Sequence, residues 1–205
     1  MAAKKSKKKP EGKDFKTLVV ESALELAAEK GWGEVTLRAI AERSGVSLAA
    51  LREHFADRED ILCAFGQMID RKVLEGAPSD PDDVTPMRER LFELLMDRFE
   101  ILNDTREGVK AVLKSFRGDP KPMVLHMPYL CRSMGWMLEA AGADTNGISG
   151  GIKVAGLTGI YLKVLCVWAE DESPDLPKTM AALDQALGRA EAIMNTVKGR
   201  GKGSG

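Results

Sequence analysis

The sequence is short of what catalytic, metal-binding and secreted proteins rely on. It holds three cysteines and two histidines in 205 residues. Cys63, Cys131 and Cys166 are odd in number, far apart and never in C-x-x-C spacing, so neither a disulfide framework nor a zinc knuckle is readable. There is no Ser/His/Asp or Cys/His grouping, and the paired acids Asp82-Asp83 and Asp171-Glu172 fall in loop-like segments. An enzyme is not expected, and no cofactor or metal is called for. The tail Gly201-Lys202-Gly203-Ser204 lacks the glycine spacing and the following helix of a phosphate loop. Long hydrophobic runs are missing too. The longest, residues 154–168, is preceded by Lys153 and broken by Lys163, which reads as too short and too charged to span a bilayer. No apolar stretch follows the first lysines, so no signal peptide is expected. These absences predict a reduced, cytoplasmic protein without membrane insertion. A net charge of −1 promises no nucleic-acid partner by itself.

What is present is an ordinary globular composition, 44% hydrophobic and 30% charged, which excludes disorder for the bulk of the chain. Aromatics are only 5% against ten methionines, so an internal cavity would be walled by aliphatic and thioether groups. Residues 1–9 carry five lysines and no acid, the composition of a solvated arm. Phe15, Leu18, Val19, Ala23, Leu26 and Ala27 then recur at the spacing of one buried helical face, which Gly31 and Gly33 end. Thr36 offers an N-cap to a short second helix closing at Ser44-Gly45. Ser47 caps a third, with Leu48, Leu51 and Phe55 inward, and a fourth follows Asp57.

Residues 76–86 hold three prolines and three aspartates and read as a linker. Thr85-Pro86 starts a long helix, because Pro suits the first helical position. Breaks at 117–122, 142–151 and 171–177 separate helical stretches near 123–141, 152–170 and 178–197. No period-2 run bounded by hairpin turns occurs. The prediction is an all-α protein of about nine helices. It has a disordered basic arm (1–13), a helix-turn-helix domain (14–73), a larger helical domain (84–197) and a disordered tail (198–205).

The second and third helices carry the pattern of a helix-turn-helix. Ala41 lets two helices cross closely, Gly45 permits a positive φ in the turn, and Val46 and Leu51 bury the hinge. Around them stand Ala23-Leu24-Glu25-Leu26-Ala27-Ala28-Glu29-Lys30-Gly31-Trp32, Val35-Thr36-Leu37-Arg38-Ala39-Ile40-Ala41, Gly45-Val46-Ser47, His54-Phe55 and Arg58-Glu59-Asp60-Ile61-Leu62. In combination they resemble the N-terminal domain of the tetracycline-repressor (TetR) family over roughly residues 14–73. The resemblance implies an all-helical dimer whose N-terminal helices bind operator DNA and whose C-terminal helices hold a ligand cavity and the dimer interface. Carried over, Thr36 and Arg38 look like phosphate anchors, and Ser47, Leu48, Ala49 and Ala50 lie where the recognition helix meets the groove. His54 matches a phosphate-contacting histidine, and Arg58 the basic residue that opens the fourth helix. Arg52 departs from the family's usual tyrosine; arginine can hold a phosphate or read guanine, while Glu53 beside it can accept from cytosine.

Residues 10–65 contain seven basic and eleven acidic side chains, so DNA affinity would lean on the arm, with Lys7, Lys8 and Lys9 reaching an adjacent groove. In the C-terminal half, Met96, Phe99, Phe116, Met127, Cys131, Met134 and Tyr161 are expected to wall a cavity for a small apolar ligand. His126 and Tyr161 are its polar handles. Gly147, Gly151, Ala155 and Gly159 recur every four residues, and with Leu183, Leu187 and Ala190 they read as the seam of a homodimer. The function expected is a one-component transcriptional regulator, a repressor released from palindromic operator DNA by its ligand. The runner-up rests on residues 136–144, Ile160-Tyr161 and residues 168–175. They resemble the lipid-binding accessory proteins of ubiquinone biosynthesis, which share the TetR fold.

Overall fold

The computed structural model describes residues 14–78, 84–118 and 121–201. Among the described residues there are nine α-helices and a single 3-10 turn at Trp32–Glu34. The helices are α1 (Phe15–Lys30), α2 (Leu37–Ser44), α3 (Leu48–His54), α4 (Arg58–Gly76), α5 (Met87–Asn103), α6 (Arg106–Gly118), α7 (Lys121–Ala140), α8 (Gly147–Glu170) and α9 (Pro177–Gly201). Lys7, Lys8 and Lys9, with the rest of the predicted arm, lie outside the described residues, as does the tail from 202 on.

Two hydrophobic cores form. Val19, Trp32, Ile40, Leu51 and Ile61 are fully buried at the centre of the first, which joins α1 to the first half of α4. Leu95, Phe99, Met134, Met137 and Trp168 centre the second, which joins α5 and α7–α9 to the second half of α4. The cores meet where α6 lies on α1. A Cβ on Gly108 would sit 2.6 Å from the Leu24 carbonyl oxygen, so only glycine lets these backbones approach so closely. Val112, one turn on, belongs to the first core. The N-terminal bundle is therefore tied to the rest of the chain by α6 as well as by α4.

Three expectations about the C-terminal helices change. α8 begins at Gly147 rather than near 152, because its glycine-rich start is helical: a Cβ on Gly150 would fall 1.8 Å from the Thr145 carbonyl oxygen. At 24 residues it is long and apolar enough, by length and composition, to cross a membrane, and about a third of its most apolar stretch is buried within the chain. α9 runs on to Gly201, so the disordered tail expected from 198 is helical over its first residues. Leu183 and Leu187, expected at a dimer seam, are buried in the second core, since α9 turns this face toward its own chain.

The α8–α9 turn is held by buried Asp171, whose Oδ2 accepts from Thr179 N at 2.9 Å and Thr179 Oγ1 at 3.0 Å. Burial of Asp171 raises its pKa, but these bonds and further backbone N–H groups outweigh it, so the carboxyl is held below its ordinary range.

Candidate nucleic-acid interface and interior cavity

Each step into and out of the two short helices has a local cause. Thr36 Oγ1 accepts from Ala39 N at 3.2 Å and caps α2; Ser47 Oγ accepts from Ala50 N at 3.1 Å and caps α3. Both hydroxyls keep their hydrogen for an outside acceptor. Between the helices Gly45 adopts φ +70°, the left-handed conformation that ends α2, while Val46 N donates to Ala41 O at 3.1 Å. At the start of α4, Asp57 Oδ1 accepts from Asp60 N at 3.0 Å and Asp60 Oδ2 from Ala56 N at 2.7 Å, a reciprocal cap.

These caps present Arg38, Ser47, Ala49, Arg52, Glu53 and His54 exposed, with Ala50 half-buried. Leu48 is not inward as its spacing suggested: it is 45% exposed at the head of α3, because Leu51 and Phe55 already fill the hinge. The His54 ring packs 4.6 Å from Phe15, which anchors the first turn of α1 to the end of α3. Two other basic groups of the domain are engaged within the chain. Arg43 ties α2 to α1 through Glu29 at 2.6 Å and Glu25 at 3.4 Å. Arg58, expected among the DNA-binding residues as the basic group that opens α4, instead points inward. Its Nη1 donates to the carbonyls of Trp32, Gly33 and Val35 at 3.0, 3.2 and 3.1 Å, and its guanidinium lies 5.4 Å from the Trp32 ring centroid. It clamps the turn that leads into α2. Arg38 and Arg52 remain as the exposed arginines of the helix-turn-helix.

A cavity of about 540 Å³ lies among α4, α5, α6, α7 and α8. Of the residues expected to wall it, Phe116, His126, Met127 and Tyr161 do so. Met96, Phe99, Cys131 and Met134 do not. The cavity face of α5 carries Arg98 and Leu102, and Met96 is turned about 200° from Arg98 at 100° per residue. Phe99 stands behind the wall, stacked on Tyr161 at 5.3 Å. Met134 is fully buried in the core, and Cys131 faces α8, where Thr158 Oγ1 is 3.7 Å from its sulfur.

Polar side chains in and behind the wall form two sets, of which only His126 and Tyr161 were anticipated. Arg98, 3% exposed, is bonded to Asp70, which also accepts from Ser133 Oγ at 2.6 Å; the guanidinium lies 5.1 Å from the Tyr161 ring centroid. Burial alone would lower the Arg98 pKa, but Tyr161 and Asp70 outweigh it and hold the cation. The signal was in the sequence: Arg98 falls four residues after Leu94 and four before Leu102, on the buried stripe of α5. The second set is a string. His126 Nε2 lies 2.8 Å from Glu59 Oε2, and His126 Nδ1 lies 3.4 Å from Cys63 Sγ. Glu59 Oε1 in turn accepts from Arg58 Nε at 3.2 Å. The hydrogen bond with His126, which outweighs partial burial, holds the Glu59 carboxyl below its ordinary range. Burial, then the charges of Asp60, Asp57 and Glu59, pushes the Cys63 thiol up to about 11.

The proposed dimer residues Gly147, Gly151, Ala155 and Gly159 are exposed along one face of α8, flanked by Ile148 and Ile152 at 87% and 67% exposure. Ala190 on α9 is half-buried.

A tri-helical unit with a capped, glycine-turned helix pair, joined to a helical body that holds a cavity, is the architecture of a helix-turn-helix protein. Residues 19–65 match the family model of the bacterial regulatory proteins, tetR family. A TetR transcriptional regulator from Nitrosomonas europaea ATCC 19718 is 26% identical, with 87% of this chain and 99% of that one covered and a TM-score of 0.69. TetR regulators from Rhodococcus sp. RHA1 and Streptomyces coelicolor share the fold. Both have TM-scores of 0.57, at 18% and 16% identity, covering 84% and 90% of this chain and 92% and 85% of theirs. No curated protein matches the chain. The helix-turn-helix segment is thus similar to that of the tetR family, and the fold of the whole chain is similar to that of TetR transcriptional regulators.

Proposed function

We propose that the protein is a one-component repressor that binds palindromic operator DNA as a homodimer and is released by a small molecule in the interior cavity. One observation carries the reading. His126 in the cavity wall, Glu59, Arg58 and the carbonyls of Trp32, Gly33 and Val35 form an unbroken string from the cavity to the turn ahead of α2. An occupant that shifts His126 changes the hold on that turn, and with it the setting of the recognition helix. Release requires only that the ligand favour a state in which the two recognition helices are wrongly spaced for successive grooves.

In this reading Arg38, Arg52 and the lysines of the arm neutralise phosphate, and Thr36, Ser47 and His54 position the domain. Leu48, Ala49, Ala50 and Glu53 face the bases. The stripe Gly147/Gly151/Ala155/Gly159 takes the same stripe of a second copy, with Ala190 nearby. Such a protein works in the cytoplasm, where its operator is.

The test is a titration of cavity ligand with and without operator selected from a random DNA pool. Coupling is reciprocal, so operator must weaken ligand binding by the factor by which ligand weakens operator binding. Equal affinities in the two arms would remove the regulator reading and favour the lipid-carrier alternative. Deleting residues 1–9 should lower the log–log salt slope by ~0.9 for each phosphate that the arm no longer neutralises.

A further inference from the structure

The walls of the cavity are unequally charged. Three arginines and one aspartate line it. Asp70 is held by Arg98 inside the wall, and Glu59 is engaged by His126 and Arg58. That leaves Arg117 on α6 and Arg132 on α7. Both are exposed yet part of the lining, which places them at the mouth. Among the described residues no carboxylate lies within ion-pair distance of either. Arg132 instead lies 5.4 Å from the ring centroid of Tyr129, itself half-exposed at the same mouth. Behind them the surface is apolar, supplied by Phe65, Leu102, Leu113, Phe116, Met127 and Leu165.

We infer that the ligand is a single-tailed amphiphile with an anionic head. The inference rests on the reading of the cavity as the effector site. The tail fits the apolar interior, where the charges are already balanced and a second ion would be left unpaired. The head stays at the mouth, where low-dielectric walls focus the field of two cations that have no carboxylate partner among the described residues, and solvent still reaches the anion. A neutral apolar molecule would fill the interior but leave the arginines unused. A cationic head would meet like charge.

Calorimetry on the full-length protein, at concentrations below micelle formation, tests this with decanoate, decyl phosphate, decanol and decylamine. The two anions are expected to bind about tenfold or more tightly than decanol, the range of a charge-assisted hydrogen bond, with decylamine weakest. Their ranking tells a carboxylate head from a phosphate head. Arg117→Gln and Arg132→Gln together should erase the preference while leaving decanol binding within about twofold, since both side chains are exposed and neither belongs to a hydrophobic core. Decanol equal to the anions, a preference that survives the double substitution, or no binding by any probe overturns the inference. Operator affinity measured beside each titration separates the two claims. An anion that binds through the arginines but leaves operator affinity unchanged would keep the ligand class and remove the regulatory reading.

Discussion

His126 of α7 and Glu59 of α4 meet at 2.8 Å although 67 residues separate them, a contact that ties the cavity wall to the first turn of α4. Both side chains are about one-fifth exposed, which limits the pair to about 1 kcal/mol. Glu59→Gln and His126→Ala should each destabilise the protein, and the double variant should cost less than their sum by about that amount. The pH dependence follows from the lowered Glu59 pKa. The contribution is present above the ordinary carboxylate range and is lost as pH falls through the lowered value, so the gap between wild type and Glu59→Gln should narrow in acid. Urea midpoints at pH 7 and in acid check both statements; additive effects would mean that the pair carries no coupling.

Arg58 separates a structural clamp from a DNA contact. Arg58→Ala leaves three carbonyls without their donor and strips the cation from the Trp32 ring, at a cost of about 2 kcal/mol. Arg58→Lys should recover little, because an ammonium lacks the planar fork. In operator binding, Arg38→Ala and Arg52→Ala should each reduce the salt slope by about one phosphate's worth, while Arg58→Ala weakens affinity with the slope intact. A slope that falls for Arg58→Ala would put this arginine on phosphate.

The helix-turn-helix was legible because its signals are local. Thr36 and Ser47 cap the helices that they precede in sequence, and Gly45 sits where the chain must turn left-handed. The choice of partner for a cation is not local, so Arg58 read as a DNA-binding residue until the fold brought the Trp32–Val35 carbonyls to it. The cavity was half legible for a related reason. Spacing identifies a buried face but not what it faces, so Phe116 and Met127 could not be told from Met96 and Met134. Leu183 and Leu187 share that ambiguity: an apolar stripe on α9 fits its own core and a partner helix equally well. The glycine-rich entry to α8 misled in the opposite direction, because glycine marks both a loop and a close approach.

Cys63 offers a reporter of the cavity. With its thiol pushed up to about 11, only about one molecule in a thousand is thiolate at pH 8. In a variant whose other cysteines are serine, iodoacetamide should label Cys63 far more slowly in the folded protein than in urea. The rate should rise about tenfold per pH unit through the alkaline range. Glu59→Gln removes one of the negative charges facing the sulfur and should speed labelling. A folded-state rate equal to the unfolded one would contradict the burial of this wall.

Two neighbouring glycines of α8 should fail in different ways. Gly150 packs against the Thr145 carbonyl, where a Cβ would stand at 1.8 Å, so Gly150→Ala must displace backbone and destabilise the single chain. Gly151 faces open space, with nothing within 4 Å of an added Cβ, and a larger side chain there costs the single chain nothing in packing. If the exposed stripe is the seam between copies, Gly151→Leu forces two closely crossing helices apart, a loss of ~1–3 kcal/mol or more on the dimer alone. Light scattering at low micromolar concentration should then give a monomer for Gly151→Leu with an unchanged urea midpoint extrapolated to the isolated chain. Gly150→Ala should show a lowered midpoint whatever its mass. A dimeric Gly151→Leu would move the interface to another face.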